Sequence, residues 1–193
     1  MSKNSSEIWG TNLIEERNYP LPYGLSTLFE AGMDRELPNY VIHDDANGEA
    51  NLINLGAGYK FLDYTDPLGA EQGWWAGTPL PYDDESVAGI WSFHFFEHLG
   101  KDELMDVLRE CERVLMVDAV LNIVVPHYIS EGAFHDLDHK TFFTESTWRN
   151  LMENTYYDGT MDRDWKFRIG LNLIMGLNVR NLALVTQLIK TNG

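Results

Sequence analysis

The sequence has little cysteine, few basic residues and no long apolar run. Its 193 residues include one Cys and 14 Lys or Arg against 30 Asp or Glu, which gives a formal net charge of −16. The single Cys111 excludes an intrachain disulfide and a thiolate metal cluster, and it lies on the apolar face of a predicted helix, as a buried core thiol would. The acidic balance opposes binding to nucleic acid, because affinity for phosphates comes largely from Lys and Arg.

Two further absences bear on location. No apolar run approaches the length of about 18 residues that suggests a membrane span, and the first six residues are polar, unlike a secretory signal. The sequence therefore predicts a cytoplasmic protein with no membrane contact.

What the chain does contain is a high aromatic content, with nine Phe, nine Tyr and six Trp. This content argues against disorder, and the length predicts a single domain with a substantial core. Residues 1–49 carry scattered prolines and glycines and predict an irregular N-terminal cap with a short helix near Leu25–Ala31. Residues 50–193 are predicted to form the main part of the domain.

The stretch Asn51–Gly58 organises that main part. A short apolar run, Leu52-Ile53-Asn54-Leu55, breaks into the turn Gly56-Ala57-Gly58. The run suits a strand that is buried on both faces, and glycine lets the backbone turn sharply and approach a ligand closely. Ligands of open α/β sheets bind at the carboxyl ends of such strands, so we expect a binding site at this turn.

The remaining pattern alternates strands with helices and ends in a hairpin. We predict strands over Phe61–Pro67, Val87–Ser92 and Ala119–Val125, a loop over Leu68–Trp75, helices over Lys101–Leu115 and from an N-cap at Thr144 to about Asn154, and a terminal hairpin of Lys166–Ile174 and Val179–Lys190. This order predicts an α/β fold, a three-layer sandwich with a mostly parallel central sheet and a C-terminal antiparallel hairpin.

Several segments, in the right order over residues 50–150, resemble class I S-adenosylmethionine-dependent methyltransferases of the type 11-like, Rossmann-like kind. Leu52–Gly58 is similar to the family's first motif. Leu80–Val87 resembles the family's "LPF-x-D-x-S-F/V-D" segment, and Ser92–Leu99 resembles its "S-H-x-L-E-H-L" segment. Arg109–Leu115 is similar to the "E-x-x-R-V-L" helix end, and Val124–Pro126 is similar to the exit of the fifth strand. Asp136–Thr144 is similar to a "D-P-x-H-x-x-F-F-T" segment found in some members.

The resemblance implies S-adenosyl-L-methionine as the cofactor and a set of residues around it. Asn54 and the glycine turn would lie under its amino-acid end, with Phe93 and His94 facing the methyl group. Asp63, or else Asp66, would accept hydrogen bonds from the ribose hydroxyls, although carboxylates beside Pro67 also suit a simple turn. The cofactor-binding set is Asn54, Gly56, Ala57, Gly58, Asp63, Asp66, Trp75, Ala76 and Phe93, with Trp75 and Ala76 beside the adenine.

The sequence departs from the family pattern at two points. Only four residues lie between Gly58 and Asp63, which is too short for a helix of useful length, so we expect the first crossover helix to be missing or replaced. The family's "K-P-G-G" turn is Met116-Val117-Asp118-Ala119 here.

Methyl transfer requires alignment and a site that excludes water, and it requires a general base only if the acceptor must lose a proton. We take His94 and His127 as the catalytic candidates, with His139 as a further imidazole, because imidazole titrates near neutral pH. Structural roles also stay open: His94 would pack at the strand exit, and Glu97-His98 would cap the next helix.

The predicted function is methyl transfer to a small molecule or a protein side chain. One alternative is a catalytically inactive, methyltransferase-like binding or regulatory module. Another is a metal-dependent hydrolase built on His127 with His135-Asp136-x-Asp138-His139, whose residue types suit a divalent ion but whose spacing matches no strict metal motif. We therefore assign no metal ligands from the sequence, and the sequence indicates no oligomeric state.

Overall fold

The structure, a computed structural model, describes residues 51–56, 66–153, 164–176, 180 and 182–193. Within these ranges the chain forms six strands and two α-helices. They are β1 (Asn51–Leu55), β2 (Asp66–Leu68), β3 (Val87–Phe93), α1 (Lys101–Val114), β4 (Leu115–Pro126), α2 (Glu145–Glu153), β5 (Phe167–Met175) and β6 (Ala183–Lys190). Short 3₁₀ turns lie at Ala70–Gln72, Phe96–His98 and Glu131–Ala133.

The strands form one mixed sheet in the order β2-β1-β3-β4-β6-β5. The first four are parallel to one another, and β6 is antiparallel to both β4 and β5. This arrangement confirms the predicted α/β fold with a mostly parallel sheet and a terminal antiparallel hairpin. The predicted cap at residues 1–49, with its helix near Leu25–Ala31, lies outside the described residues, and the division at residue 50 stays a prediction.

The core forms because apolar residues recur with the period of each element. All seven residues of β3 are buried, as in a strand covered on both faces. In α1 the buried positions are Leu104, Val107, Leu108, Cys111 and Val114, which form one helix face. This face shares a core cluster with the β4 residues Leu121, Ile123 and Val125, so α1 covers one side of the sheet.

Helix α2 begins where the sequence predicts it. The backbone N–H of Thr147 donates to the Thr144 hydroxyl over 3.2 Å, which confirms Thr144 as the N-cap. Cys111 is fully buried, and burial raises the pKa of its thiol. The prediction of a core thiol is therefore confirmed.

The second strand differs from its prediction. The sequence predicted a strand over Phe61–Pro67 and a loop from Leu68, whereas β2 runs from Asp66 to Leu68 and is followed by the 3₁₀ turn Ala70–Gln72. Residues 61–65 lie outside the described residues. Pairing with β1 explains the shift, because the N–H of Gly56 donates to the carbonyl of Leu68 over 2.8 Å and so draws Leu68 into the sheet.

The fourth strand is longer than its prediction of Ala119–Val125. It starts at Leu115, directly after α1, and accommodates Met116–Ala119 in an irregularity where Val87 pairs with Leu115 but Gly89 pairs with Val120. Asp118 takes the extra turn with φ +65°. The segment that replaces the family's glycine turn is therefore a bulged strand start.

A network of hydrogen bonds fixes the turn before β3 to the end of α1. The guanidinium of Arg113 donates to both carboxylate oxygens of Glu110 at 2.9 and 2.8 Å, to Asp84 at 2.7 Å, and to the carbonyls of Leu80 and Tyr82 at 3.0 and 2.9 Å. Glu110 also accepts the backbone N–H of Leu80 over 2.7 Å. This network holds the amino end of β3 in place.

Candidate functional site

Three parallel strands end side by side, and each is followed by a residue that the sequence predicts to be part of the functional site. Gly56 follows β1, His94 follows β3 and His127 follows β4. Because β1, β3 and β4 are neighbours, these residues lie along one edge of the sheet. This is the edge where open α/β sheets bind ligands.

Gly56 adopts φ +76°, a left-handed conformation that favours glycine. Its α-carbon also lies against the ring of Phe95: a Cβ added at Gly56 would collide with the Cγ of Phe95. The ring of Trp74 lies 6.0 Å from that of Phe95. The glycine turn is thus required by backbone conformation and by close aromatic packing.

Asn54 precedes the turn by two residues and is 1% exposed. Among the described residues, neither its amide nitrogen nor its amide oxygen has a hydrogen-bond partner. Two strands away at the same level, the equally buried Asn122 accepts a 2.7 Å hydrogen bond from Gln187 and donates to Ile90 over 3.4 Å. The amide beside the glycine turn is the one left unpaired, which is costly unless a ligand satisfies it.

His94 is held in a strained conformation at the end of β3, with φ +52°. Its backbone N–H donates to Val124 over 2.9 Å, while Nδ1 lies 3.1 Å from Oε1 of Glu97. The imidazole is 59% exposed and Glu97 is 2% exposed. A buried carboxylate therefore orients an imidazole that faces solvent at the site.

His127 has a different environment. It is 2% exposed, and its Nε2 lies 3.1 Å from Oε2 of Glu145 at the start of α2. The backbone N–H of Glu145 donates a hydrogen bond to the carboxylate of the same residue, and this bond lowers the pKa of the Glu145 carboxyl. The hydrogen bond from His127 lowers it further. The Nδ1 of His127 is buried without a partner within the described ranges. This imidazole is part of the packing between β4 and α2.

The structure places the predicted cofactor-binding residues unevenly. Ala57, Gly58 and Asp63 lie outside the described residues. Asp66 is exposed and lies in β2 at the level of Ile53, before the strand ends at Leu68, whereas the resemblance implied a carboxylate that closes the strand.

The structure also describes Phe93, Trp75 and Ala76 of the predicted set. Phe93 is 8% exposed at the end of β3. Trp75 is 63% exposed, and Ala76 packs against the core.

One candidate for the ribose-binding carboxylate was not predicted from the sequence. Glu71, in the 3₁₀ turn Ala70–Gln72, is the first carboxylate after the end of β2 among the described residues. It was missed because Leu68–Trp75 was predicted to be loop and Asp66 to close the strand. The hydrogen bond from Gly56 to Leu68 places the exit of β2 beside the glycine turn.

The histidine-rich constellation is only partly brought together. Among the described residues, His139 lies with Glu97 and His98, where one ligand atom of each is within 4.8 Å of the others. His127 is not in this group and pairs with Glu145 instead. The spacing that we considered for a metal site around His127 therefore does not form.

The described part of the chain offers no helix with the length and apolar character to cross a bilayer.

Residues 75–123 match the sequence model of a protein family described as a methyltransferase domain. The matched segment spans the Pro-Leu-Pro turn, β3 with its exit, α1 and most of β4, and it starts after the glycine turn. A search of curated proteins found no match.

Solved structures share the fold at low sequence identity. A chain from the complex of the Haloferax volcanii Trm112 methyltransferase activator with a candidate methyltransferase is 12% identical, with a TM-score of 0.55 and full coverage of both chains. Haemonchus contortus phosphoethanolamine N-methyltransferase 1, solved with phosphoethanolamine and S-adenosylhomocysteine, is 12% identical, with a TM-score of 0.54 over 98% of this chain and 46% of that one.

The YcgJ protein from Bacillus subtilis is 14% identical, with a TM-score of 0.51 over 76% of this chain and 96% of that one. At these identities the likenesses speak for the fold alone. They confirm the Rossmann-like α/β fold that the resemblance implied.

Proposed function

Because the family match over residues 75–123 and the shared fold support a class I methyltransferase family for this chain, we propose that it is an S-adenosylmethionine-dependent methyltransferase. The proposed reaction is in-line methyl transfer to a small molecule or a protein side chain. The observation that carries the proposal is the family match, since it covers β3 and its exit, where Phe93 and His94 lie at the ligand-binding edge.

The residues at this edge fit the proposed cofactor. Gly56 turns the backbone with a left-handed φ, and the buried amide of Asn54 has both a donor and an acceptor without partners. A zwitterionic amino-acid group presents donors and acceptors of the kind that this amide lacks. When bound, S-adenosyl-L-methionine supplies the transferable methyl group; Asn54, Gly56, Phe93, Trp75 and Ala76 are the described residues that would hold it.

A carboxylate is needed to accept hydrogen bonds from the ribose hydroxyls. We infer that Glu71 is a candidate beside the predicted Asp63 and Asp66, because it follows the end of β2 whereas Asp66 precedes that end. Its distance along the chain from Leu68 is short, and Leu68 is hydrogen-bonded to Gly56.

This chain's own residues would align the acceptor and exclude water. Trp74 is buried, and its ring adjoins that of Phe95, so the wall beside the glycine turn is aromatic. His94 would accept a proton where the acceptor must lose one. A proton on its Nδ1 completes the hydrogen bond to Glu97 and leaves Nε2 as the acceptor, the usual arrangement of an imidazole base with an orienting carboxylate.

For the methyl acceptor we propose a class of molecule only, and the cellular location is a prediction. Among structures with this fold, one is a phosphoethanolamine N-methyltransferase in complex with phosphoethanolamine, and another is in complex with an activator protein. Either a small-molecule acceptor or a protein partner is compatible with the exposed imidazole of His94. A cytoplasmic location and the absence of nucleic-acid and membrane partners stay predictions from the sequence.

One observation favours the alternative of a cofactor-free binding module. The Phe95 ring lies directly on Gly56, so an aromatic side chain occupies space beside the turn that a cofactor would approach. In that alternative the glycine serves only the packing of Phe95. A measurement of cofactor binding distinguishes the methyltransferase from the cofactor-free binding module.

The test is calorimetric titration of the full chain with S-adenosylhomocysteine. We expect micromolar binding at one site. Of the variants Asp63→Asn, Asp66→Asn and Glu71→Gln, the one that removes the ribose carboxylate should weaken binding at least tenfold. The exposed Asp106→Asn on α1 is the matched control and should bind as the wild type does.

Absence of heat at millimolar ligand, from a protein shown to be folded by circular dichroism, would overturn the methyltransferase proposal in favour of the binding module. Equal affinity in all three carboxylate variants would overturn the ribose assignment alone.

A further inference from the structure

Glu97 is a buried acid, and only one of its two carboxylate oxygens is paired. The residue is 2% exposed, and its Oε1 pairs with Nδ1 of His94 at 3.1 Å. Its Oε2 is buried, with no hydrogen-bond partner in the part of the chain that the structure describes. Burial of a carboxylate oxygen without a donor or a cation is costly, so this oxygen calls for a positively charged partner.

Two imidazoles adjoin the Glu97 carboxylate. One ligand atom each from Glu97, His98 and His139 lies within 4.8 Å of the others. The rings of His98 and His139 have centroids 4.8 Å apart and meet edge to face at 72°. Modest rotation of the two rings would bring the three ligand atoms to the spacing of about 3.4 Å that bonds of about 2.1 Å to one ion require.

The tautomer of His139 suits a ligand. Its Nδ1 lies 2.9 Å from the carbonyl oxygen of Ala133, which accepts a hydrogen bond only from a protonated nitrogen. Nε2 is then the unprotonated nitrogen and points its lone pair away from that carbonyl. A ring N–H held by a backbone carbonyl is the usual support of a metal-ligating histidine, and the His94 contact to Oε1 supports Glu97 in the same way.

We propose that Oε2 of Glu97, His98 and Nε2 of His139 bind one divalent transition-metal ion of the zinc class. Two imidazoles and one carboxylate are the ligand set of zinc sites that keep a coordination position for water or substrate. The set disfavours Mg²⁺ and Ca²⁺, which prefer oxygen ligands. Asp136, whose Oδ2 is 4.0 Å from Nε2 of His139, adds negative charge beside the site.

The backbone already holds the two ligand-bearing segments together. The carbonyl of Glu97 accepts the N–H groups of Lys140 and Thr141 at 2.8 and 3.0 Å, and the Thr141 hydroxyl donates to the carbonyl of Leu99 over 2.6 Å. The ligands are thus placed before an ion binds, and little ordering of the chain is needed to complete the site.

The site joins the exit of β3 to the segment around His139. Glu97 would contact the ion through one oxygen and His94 through the other. The ion therefore lies one side chain away from the edge that we propose for methyl transfer, but its binding does not depend on that function.

The experiment is calorimetric titration of the untagged, chelator-treated full chain with ZnCl₂. We expect one site per chain, and no comparable heat with MgCl₂. Glu97→Gln and His139→Ala should each lower zinc affinity by more than the 10- to 100-fold that loss of an outer-shell partner costs. His135→Ala is the matched control, because its ring lies 6.1 Å from that of His139 but supplies no ligand, and it should bind zinc as the wild type does.

A second readout uses CoCl₂, whose visible absorption reports the ligand geometry. We expect the intense bands of a four- or five-coordinate site, lost in His139→Ala. His98→Ala serves in place of Glu97→Gln if the latter fails to fold by circular dichroism. Substoichiometric zinc in the wild type, unchanged affinity in folded ligand variants, or an equal loss in His135→Ala would overturn the site.

Discussion

The two ends of the parallel strands differ in how completely their polar groups are paired. At the amino end of β3, Arg113 makes five hydrogen bonds that satisfy Glu110, Asp84 and two carbonyls. Close by, the buried Lys190 donates to the carbonyl of Leu115 over 2.6 Å and pairs with Glu85 at 3.1 Å.

At the carboxyl end, polar atoms are buried without partners. Among the described residues seven have such atoms, and four of the seven belong to this edge: Asn54, Ser92, Glu97 and His127. Positive φ does not distinguish the two ends, because His94 has it at this end and Glu85 and Asp118 have it at the amino end. Unpaired buried polar groups in a native fold mark positions kept for something other than stability. The amino end holds the fold together, and the carboxyl end is arranged for ligands.

Substitution at the glycine turn should produce the largest loss of stability. Gly56→Ala places a Cβ within the ring of Phe95 and forces a side chain into a left-handed conformation. We expect the free energy of unfolding to fall by about 2–5 kcal/mol in urea titration.

The double variant with Phe95→Ala identifies the cause. If packing dominates, Phe95→Ala should restore part of the loss, as a double-mutant cycle would show. Additive losses would mean that the close contact is not a determinant of stability.

Removal of the amino-end network should rank second. Arg113→Met leaves Glu110 and two carbonyls without their donor, and we expect a loss of about 2–3 kcal/mol in the same titration. Arg180→Met is the control, because its pair with Glu131 is exposed on both sides and should contribute less than about 1 kcal/mol. Equal losses in the two variants would remove the distinction between the ends of the sheet.

Two buried asparagines test the contrast on one face of the sheet. Asn54→Leu removes an amide with no partner, so it should leave stability unchanged or raise it by up to about 1 kcal/mol. Asn122→Leu leaves the amide of Gln187 without its acceptor and should cost about 1–3 kcal/mol. Similar losses in both would show that Asn54 is paired in solution.

The smallest effect concerns pH. Hydrogen bonding to Arg113 lowers the pKa of the Glu110 carboxyl below its usual 4.5. A depressed carboxyl pKa stabilises the fold above the unfolded value, and that contribution is lost as pH falls through the folded value. The difference in unfolding free energy between wild type and Arg113→Met should thus be constant from about pH 6 to 7 and shrink below about pH 4.5. A difference that grew on acidification would contradict this assignment.

The sheet could be predicted because its strands carry continuous apolar runs. Val87–Ser92 and Ala119–Val125 differ from β3 and β4 mainly at their ends, and Thr144 caps its helix as predicted. The end of β2 was predicted one residue early, at Pro67 instead of Leu68, because so short a segment has no period of its own. Its position depends on pairing with β1, a contact that local sequence does not encode.

The candidate site was predictable only in part, for a related reason. His94 and Gly56 follow recognisable strands, and their place at the edge follows from parallel pairing. The group of Glu97, His98 and His139 joins residues about 40 positions apart through backbone hydrogen bonds from Lys140 and Thr141 to Glu97. No spacing rule connects them, so the sequence pattern suggested His127 as the partner of His139.

The most direct test of the central claim is to titrate S-adenosylhomocysteine into wild type and Asn54→Leu while the unfolding free energy of each is measured. If the carboxyl end sacrifices stability to bind a ligand, Asn54→Leu will be at least as stable as the wild type and will bind at least tenfold more weakly. Unchanged affinity in an equally stable Asn54→Leu protein would contradict the claim that this buried amide is kept for the cofactor.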